Sequence, residues 1–203
     1  MTKTGIALSL ALLLGLAHGI ARAAEPFEGE VVLNWTKPYP VVIRYFLQGK
    51  KLRSEVEGSK EPMTLADLDK LEVVHFVGKI YKVSKLPAPT AERSSYGAPV
   101  KSGKKKVIAG QSCEEWVQKD TSTTTRYWVV PGVASSVHPW SGSPQGFMAF
   151  EFLRSKDLFP LGLTWEQTKT GEISSQAEAT VFKKKKVDPS VFAMPEGLKK
   201  TGP

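Results

Sequence analysis

Most of the chain alternates between apolar and polar positions with the two-residue period of β-strands. The segment EGEVVLNW (28–35) places Val31, Leu33 and Trp35 on one face, and VVIRYFLQ follows the same rule. Such segments recur at intervals of about ten residues, which is typical of an antiparallel meander and not of βαβ units. The remaining predicted strands are KLRSEVEG, MTLADL, LEVVHFV, KIYKVS, KKVIAG, SCEEWVQK, TTTRYWVV, GLTWEQ and EISSQAEATVF.

Turn residues between these strands predict two hairpins in the first half of the chain. Gly49-Lys50 lies between VVIRYFLQ and KLRSEVEG, and Asp69-Lys70 lies between MTLADL and LEVVHFV. Two segments break the pattern. Residues 85–105 are rich in Pro, Ser and Lys, which predicts a long exposed connection. Residues 139–160 begin as a Gly/Pro loop and continue as GFMAFEFLRSKD, which predicts a short helix between Gly146 and Pro160.

Several predicted strands are apolar on both alternating sets of positions. In VVIRYFLQ, Val42 and Phe46 lie opposite Ile43 and Tyr45. A sheet with one solvated face would carry polar residues on one of the two sets, so both faces must be covered. We therefore predict a mainly β fold, a single curved antiparallel sheet (a half-open barrel) with a short helical lid and an apolar concavity. A β-sandwich is the alternative.

The first 23 residues have the pattern of a cleaved secretory signal. Lys3 precedes an apolar run from Gly5 to Ala17, and the small residues Ala21 and Ala23 provide an A-x-A-like cleavage site. The run is too short to span a bilayer, which needs about 20 residues. No Cys follows the run, so no lipid anchor is expected. We predict a signal peptide at 1–23, one β-rich domain at 24–203, and a periplasmic or secreted protein that does not span the membrane.

The charge of the chain favours anionic partners. The full sequence has 28 basic and 20 acidic residues, and removal of Lys3 and Arg22 with the signal leaves 26 basic residues and a net charge of +6. Such a charge suits phospholipid headgroups or acidic glycans. No nucleic-acid-binding module is present, so nucleic acid is not an expected partner. Lys183, Lys184, Lys185 and Lys186 end the last long strand, either as a solvated edge that opposes aggregation or as contacts for anionic lipid headgroups.

The sequence carries no catalytic or metal-binding pattern. It has neither a G-x-S-x-G elbow nor an H-E-x-x-H helix. His75 lies in a predicted strand and His138 in a Pro/Gly loop, and neither has a metal-ligand neighbour at a suitable spacing. Glu114 and Glu115 are adjacent in a strand, so they point to opposite faces. Cys113, the single cysteine, is predicted to be a buried small hydrophobe. We expect no enzyme activity, no cofactor and no metal.

The order of several short motifs resembles a family of exported bacterial proteins with no established activity. The matching motifs are a G-x-K-x-R hairpin, an I-A-G-x-x-C-x-x-W segment, a strand bearing a tryptophan and a closing D-x-S-x-F-x-x-P-x-G element. In this chain they are Gly49, Lys51 and Arg53; Ile108, Ala109, Gly110, Cys113 and Trp116; Trp128; and Asp188, Ser190, Phe192, Pro195 and Gly197. That family is remotely similar to the outer-membrane lipoprotein carrier and its receptor. The similarity implies a half-open antiparallel barrel that has a helical lid and holds acyl chains.

Two functions follow from these expectations. The first is a non-enzymatic binding protein that holds an amphiphile, a lipid or an acylated peptide, in the apolar concavity. The second is a protein-interaction module of the cell envelope whose concavity is filled by its own side chains. The predicted ligand-binding residues are Phe147, Phe150, Phe152, Trp116 and Trp128.

Overall fold

All the strands that the structure describes belong to one hydrogen-bonded sheet. The computed structural model describes residues 26–59, 62–86, 98–133 and 152–201. Across the sheet the order of the strands is β12-β6-β5-β4-β3-β2-β1-β11-β10-β9-β8-β7. The predicted single open sheet is confirmed, and the sandwich alternative, which needs two sheets, is wrong. The strands are β1 (Glu28–Lys37), β2 (Val41–Gln48), β3 (Lys51–Val56), β4 (Pro62–Asp67), β5 (Glu72–Val77), β6 (Ile80–Lys85), β7 (Val100–Ile108), β8 (Gln111–Lys119), β9 (Thr123–Pro131), β10 (Leu158–Gln167), β11 (Ile173–Lys184) and β12 (Lys199–Lys200).

The sheet consists of two meanders joined by one long-range strand pair. Strands β1 to β6 form the first meander and β7 to β11 the second, and β1 pairs antiparallel with β11. Both predicted hairpins are confirmed, β2 with β3 and β4 with β5. Gly49 has a φ of +57°, a left-handed conformation that glycine adopts without strain at the first of these turns. The short β12 pairs parallel with β6, so the sheet is not antiparallel throughout.

One strand begins earlier than predicted. Strand β7 starts at Val100, inside the stretch 85–105 that was predicted to be an exposed connection. Residues 87–97 of that stretch lie outside the described residues. The register with β8 shifts between Lys101 and Lys105, and all of β7 except Ile108 is exposed. The two-residue period is therefore absent from this strand, and its lysines suit an edge that must not pair with other chains.

The predicted helix is present only in part among the described residues. Residues 152–155 form one helical turn, whereas 134–151 lie outside the described residues. Leu158 to Pro160, which follow the predicted helix, begin β10 and pair with the end of β9.

Residues that pair across neighbouring strands share a face of the sheet, so the register assigns each side chain to one of two faces. Trp35, Tyr45, Tyr127 and Trp116 lie on one face, which we call the Tyr45 face. The other face, which we call the Phe46 face, carries Phe46, Arg53 and Leu65 in the first meander. In the second meander it carries Cys113, Glu115 and Trp128.

The C-terminal segment 185–201 covers the Phe46 face of the first meander. The Arg53 guanidinium donates to the Val191 carbonyl at 3.1 Å, and the backbone N–H of Lys199 donates to the Lys79 carbonyl at 3.0 Å. Between these anchors, side chains of the segment lie over apolar side chains of β4 and β5. The C-terminal segment therefore covers the apolar residues of that face, whereas the sequence pattern predicts that the helix covers them. The groove between segment and sheet is lined in part by Leu65, Val74, Phe192 and Met194.

The β7–β8 hairpin covers the Phe46 face of the second meander. Lys106 of β7 forms an ion pair with Glu178 of β11, although three strands separate them in the sheet. A Cβ atom added at Gly162 of β10 would lie 3.1 Å from the Ile108 side chain and 3.0 Å from Trp128. The hairpin therefore bends back over its own sheet. Cys113 of β8 lies on the Phe46 face of this hairpin with 0% exposure, as predicted, and burial raises the pKa of its thiol.

We expect Gly29→Ala to lower the free energy of unfolding by about 1–3 kcal/mol, because the added methyl group overpacks the junction of the meanders. A Cβ atom at this position would lie 2.2 Å from the Lys183 carbonyl oxygen and 2.8 Å from the Phe27 ring. Urea denaturation measures the change. Thr36→Ala, at the exposed end of the same strand, should stay within about 0.5 kcal/mol of the wild type. Equal midpoints for both variants would contradict the close approach.

We expect Cys113→Ser to destabilise the protein by about 1–3 kcal/mol, since it replaces a fully buried thiol with a more polar hydroxyl group, and Cys113→Ala to cost less. The buried native thiol should react with a bulky maleimide only as fast as the protein opens. Ser112→Cys in a Cys113→Ala background moves the thiol to the exposed neighbour and should be labelled rapidly. Equal labelling rates in the two proteins would show that Cys113 is accessible.

Candidate functional site

The Tyr45 face is a continuous apolar surface that extends across both meanders. Tyr45 of β2 packs edge-to-face on Phe159 of β10 with ring centroids 6.1 Å apart, although two strands lie between them. The sheet therefore brings side chains of the two meanders together on this face. Its buried apolar residues include Leu33, Trp35, Ile43, Tyr45, Leu47, Leu52, Ala66, Val73, Tyr127, Leu163 and Ala177.

The helical turn 152–155 packs on the second-meander end of this face. The Phe152 ring lies 5.5 Å from the Trp116 ring, and Leu153 is 0% exposed. Trp116 is opposite Tyr127 in the register, which places the contact on the Tyr45 face. The Lys101 ammonium group lies over the Trp116 ring, 5.5 Å from its centroid, and pairs with Glu114 at 2.8 Å. A helical element thus covers one end of an apolar sheet face.

The structure brings together only some of the predicted ligand-binding residues. Trp116 and Phe152 are in contact on the Tyr45 face. Trp128 is opposite Glu115 in the register and therefore lies on the Phe46 face, where it packs near Gly162. One concavity cannot contain both tryptophans. Phe147 and Phe150 lie outside the described residues, so their assignment stays a prediction.

Four buried polar atoms on the Tyr45 face have no hydrogen-bond partner in the described part of the chain. They are the hydroxyl groups of Tyr45, Ser54 and Thr64 and the indole N–H of Trp116. Tyr127 on the same face differs, since its hydroxyl donates to Gln118 at 3.2 Å. Burial raises the pKa of Tyr45, which keeps its phenol protonated.

Sequence reasoning missed Ser54 and Thr64, although a signal was present. Each occupies a position in the alternating pattern that its strand otherwise fills with apolar residues. Ser54 follows Leu52 on β3, and Thr64 precedes Ala66 on β4. A polar residue at a strand position that is otherwise apolar is therefore a candidate ligand contact.

The four consecutive lysines do not form one patch. Lys183 pairs with Glu30 in the register and Lys184 with Gly29, so the two point to opposite faces. Lys185 forms an ion pair with Glu30 and lies 5.6 Å over the Phe46 ring. Lys186 is exposed beyond the end of the strand. The proposed contacts with anionic headgroups stay a prediction, and Lys185 already has an intramolecular partner.

The titratable groups Glu115 and His75 lie on opposite faces of the sheet. Glu115 is 3% exposed on the Phe46 face, where it accepts a hydrogen bond from Ser102 at 2.6 Å and lies 3.6 Å from Arg126. Burial and then the charge of Lys82 lower the pKa of His75, which favours the neutral ring at pH 7. Within the described ranges no three His, Cys, Asp or Glu side chains form a metal-binding group. The same ranges contain no helix that is long and apolar enough to cross a membrane.

The fold is similar to part of one solved structure, and a second solved structure gives a weaker match. PNGF-II, solved in the C2 space group, superposes with a TM-score of 0.52 at 15% identity, over 85% of this chain and 30% of its own. The LolA superfamily protein NE2245 from Nitrosomonas europaea gives a TM-score of 0.37 at 11% identity, over 85% of this chain and 92% of its own. The chain thus spans under a third of PNGF-II. At these identities the likeness concerns the fold alone, and it carries neither an activity nor a ligand to this chain.

No protein-family model matches the chain, and no curated protein matches it. The resemblance to a family of exported bacterial proteins therefore remains a prediction from the sequence motifs.

Proposed function

We propose that this protein is an exported, non-enzymatic binding protein that holds the apolar chain of an amphiphile on the Tyr45 face. The supporting observation is the contact between Phe152 on the helical turn and Trp116 on the sheet. An apolar face with a helical element packed across one end is a common form of site for an elongated apolar ligand. Either a lipid or an acylated peptide fits this description.

The different coverings of the two sheet faces support the assignment to the Tyr45 face. The Phe46 face is covered by the C-terminal segment and the β7–β8 hairpin, which are anchored by hydrogen bonds and an ion pair. The Tyr45 face carries the buried polar atoms without partners in the described residues, among them the Trp116 indole N–H. Buried polar groups in a protein interior are usually hydrogen-bonded. The unpaired polar atoms therefore give this face the character of a binding surface.

A protein-interaction module of the envelope, with a face filled by its own side chains, is the second candidate. One observation favours it, because Tyr45 is 1% exposed and Leu47 is 0% exposed. A face that is already closed to solvent needs no ligand to cover it. In the first candidate function an acyl chain can reach the Tyr45 face, and in the second it cannot.

We expect the protein without its predicted signal to bind dodecanoate with a dissociation constant on the order of 1 μM, a free energy of about 8 kcal/mol. Burial of roughly 300 Å² of apolar surface at about 25 cal/mol per Å² contributes a similar amount before the cost of association. Titration calorimetry below the critical micelle concentration measures the affinity. Mass spectrometry of protein from its native host should also find a bound lipid.

Trp116→Ala should weaken dodecanoate binding by about tenfold, or about 1.4 kcal/mol, because the indole covers the ligand's apolar chain. Trp128→Ala is the matched control, since it removes the same side chain from the Phe46 face on the neighbouring strand. It should lower the melting temperature and change the affinity less than twofold. A wild-type protein that binds neither dodecanoate nor a native lipid would favour the interaction module.

A further inference from the structure

The three hydroxyl groups without described partners form one row across the Tyr45 face. Tyr45 of β2 is opposite Ser54 of β3, and Ser54 is opposite Thr64 of β4. The row continues to His75 of β5. Neighbouring strands lie about 4.8 Å apart, so the three backbone positions span about 10 Å. The exposed fractions of Tyr45, Ser54 and Thr64 are 1%, 0% and 1%.

Apolar rows enclose this polar row on both sides. Leu47, Leu52, Ala66 and Val73 form the next row towards one end of the strands, and Ile43 and Val56 are opposite each other in the row towards the other end. A buried hydroxyl group in such surroundings normally has a hydrogen-bond partner, as Tyr127 has in Gln118. The Tyr45 row has none in the described ranges. It resembles the few polar groups that orient a ligand in an otherwise apolar site.

The chemistry of the row selects the kind of group that it can bind. Its buried members are hydroxyl groups, each of which can donate and accept a hydrogen bond. Beyond them lies His75, whose pKa is lowered by burial and then by the charge of Lys82, and the exposed Lys82 ends the row. A buried carboxylate or phosphate would need a cation beside it, and the three hydroxyl positions provide none. An uncharged acceptor such as a carbonyl oxygen needs only donors.

We propose that Tyr45, Ser54 and Thr64 form a polar subsite that binds the ester or amide carbonyl of an amphiphile whose chain lies on the Tyr45 face. This inference rests on the proposed function. The hydroxyl groups donate to the carbonyl oxygen, and the flanking apolar rows contact the adjoining methylene groups. The subsite thus distinguishes acyl esters and amides from amphiphiles that have the same chain and no carbonyl.

The test compares two uncharged probes that differ in one group. Monolaurin has an ester carbonyl, and 1-O-dodecylglycerol has the same headgroup and a chain of the same length on an ether oxygen. We expect the wild-type protein to bind monolaurin about five- to tenfold more tightly in titration calorimetry, the effect of one or two hydrogen bonds. Tyr45→Phe, Ser54→Ala and Thr64→Val, tested singly, should reduce this preference and should not lower the melting temperature, because each removes an unpaired hydroxyl group.

Ser102→Ala is the matched control, because the Ser102 hydroxyl group has a partner in Glu115, which lies on the Phe46 face and outside the proposed site. This variant should lower the melting temperature and keep the preference for monolaurin. If the row variants lower the melting temperature and keep the preference, the hydroxyl groups have a structural role, for example through a buried water, and the inference is wrong.

The binding data also separate the subsite from the proposed function. Equal affinities for the ester and the ether, together with tight binding of dodecanoate, would overturn the carbonyl subsite and leave the amphiphile-binding function intact. Tighter binding of dodecanoate than of monolaurin would also overturn it, since the row would then accept an anion. Failure of the wild-type protein to bind any of the three probes would overturn both proposals.

Discussion

A single sheet with apolar side chains on both faces must have both faces covered, and the rest of this structure depends on that constraint. The described strands all belong to one sheet, so this part of the chain contains no second sheet that could form a sandwich core. Two parts of the chain cover the Phe46 face, the C-terminal segment and the β7–β8 hairpin. The C-terminal segment crosses β3 to β6, and the β7–β8 hairpin bends over β10 and β11. Both are held by specific polar contacts in addition to apolar burial.

The two faces differ in how completely their polar groups are paired. On the Phe46 face even a buried carboxylate, Glu115, has a hydroxyl donor in Ser102 and a guanidinium nearby in Arg126. On the Tyr45 face three hydroxyl groups in one row have no partner among the described residues. Departures from the usual structural patterns, such as unpaired buried polar groups, occur most often at binding and catalytic sites. The contrast therefore supports the division into a structural face and a binding face.

The strand pair β1–β11 makes the binding face continuous. Tyr45 belongs to the first meander and its edge-to-face partner Phe159 to the second, and the β1–β11 pair joins the two meanders beside them. Gly29 permits a close approach of β1 to Lys183 of β11. Phe27 and Phe182 pack at this junction with ring centroids 4.7 Å apart. Glu30 forms ion pairs with Arg44 and Lys185 on the other side of the sheet. A change at the junction would thus alter the relative position of the polar row and the Trp116–Phe152 contact.

The sequence by itself determined the strand content, the hairpins and the need to cover both faces, because these follow from the two-residue period and from local turn residues such as Gly49. It also predicted that Cys113 is buried, since free cysteine is among the residue types most often buried in proteins. The tertiary structure decided which strands meet at long range and therefore which residues share a face. Trp116 and Trp128 look equivalent in sequence, yet the β8–β9 register places them on opposite faces. The Gly49-Lys50 turn sets the β2–β3 register that aligns Ser54 with Tyr45. The burial of this row depends on side chains that reach the face from distant strands, such as Phe159, and no local pattern encodes it.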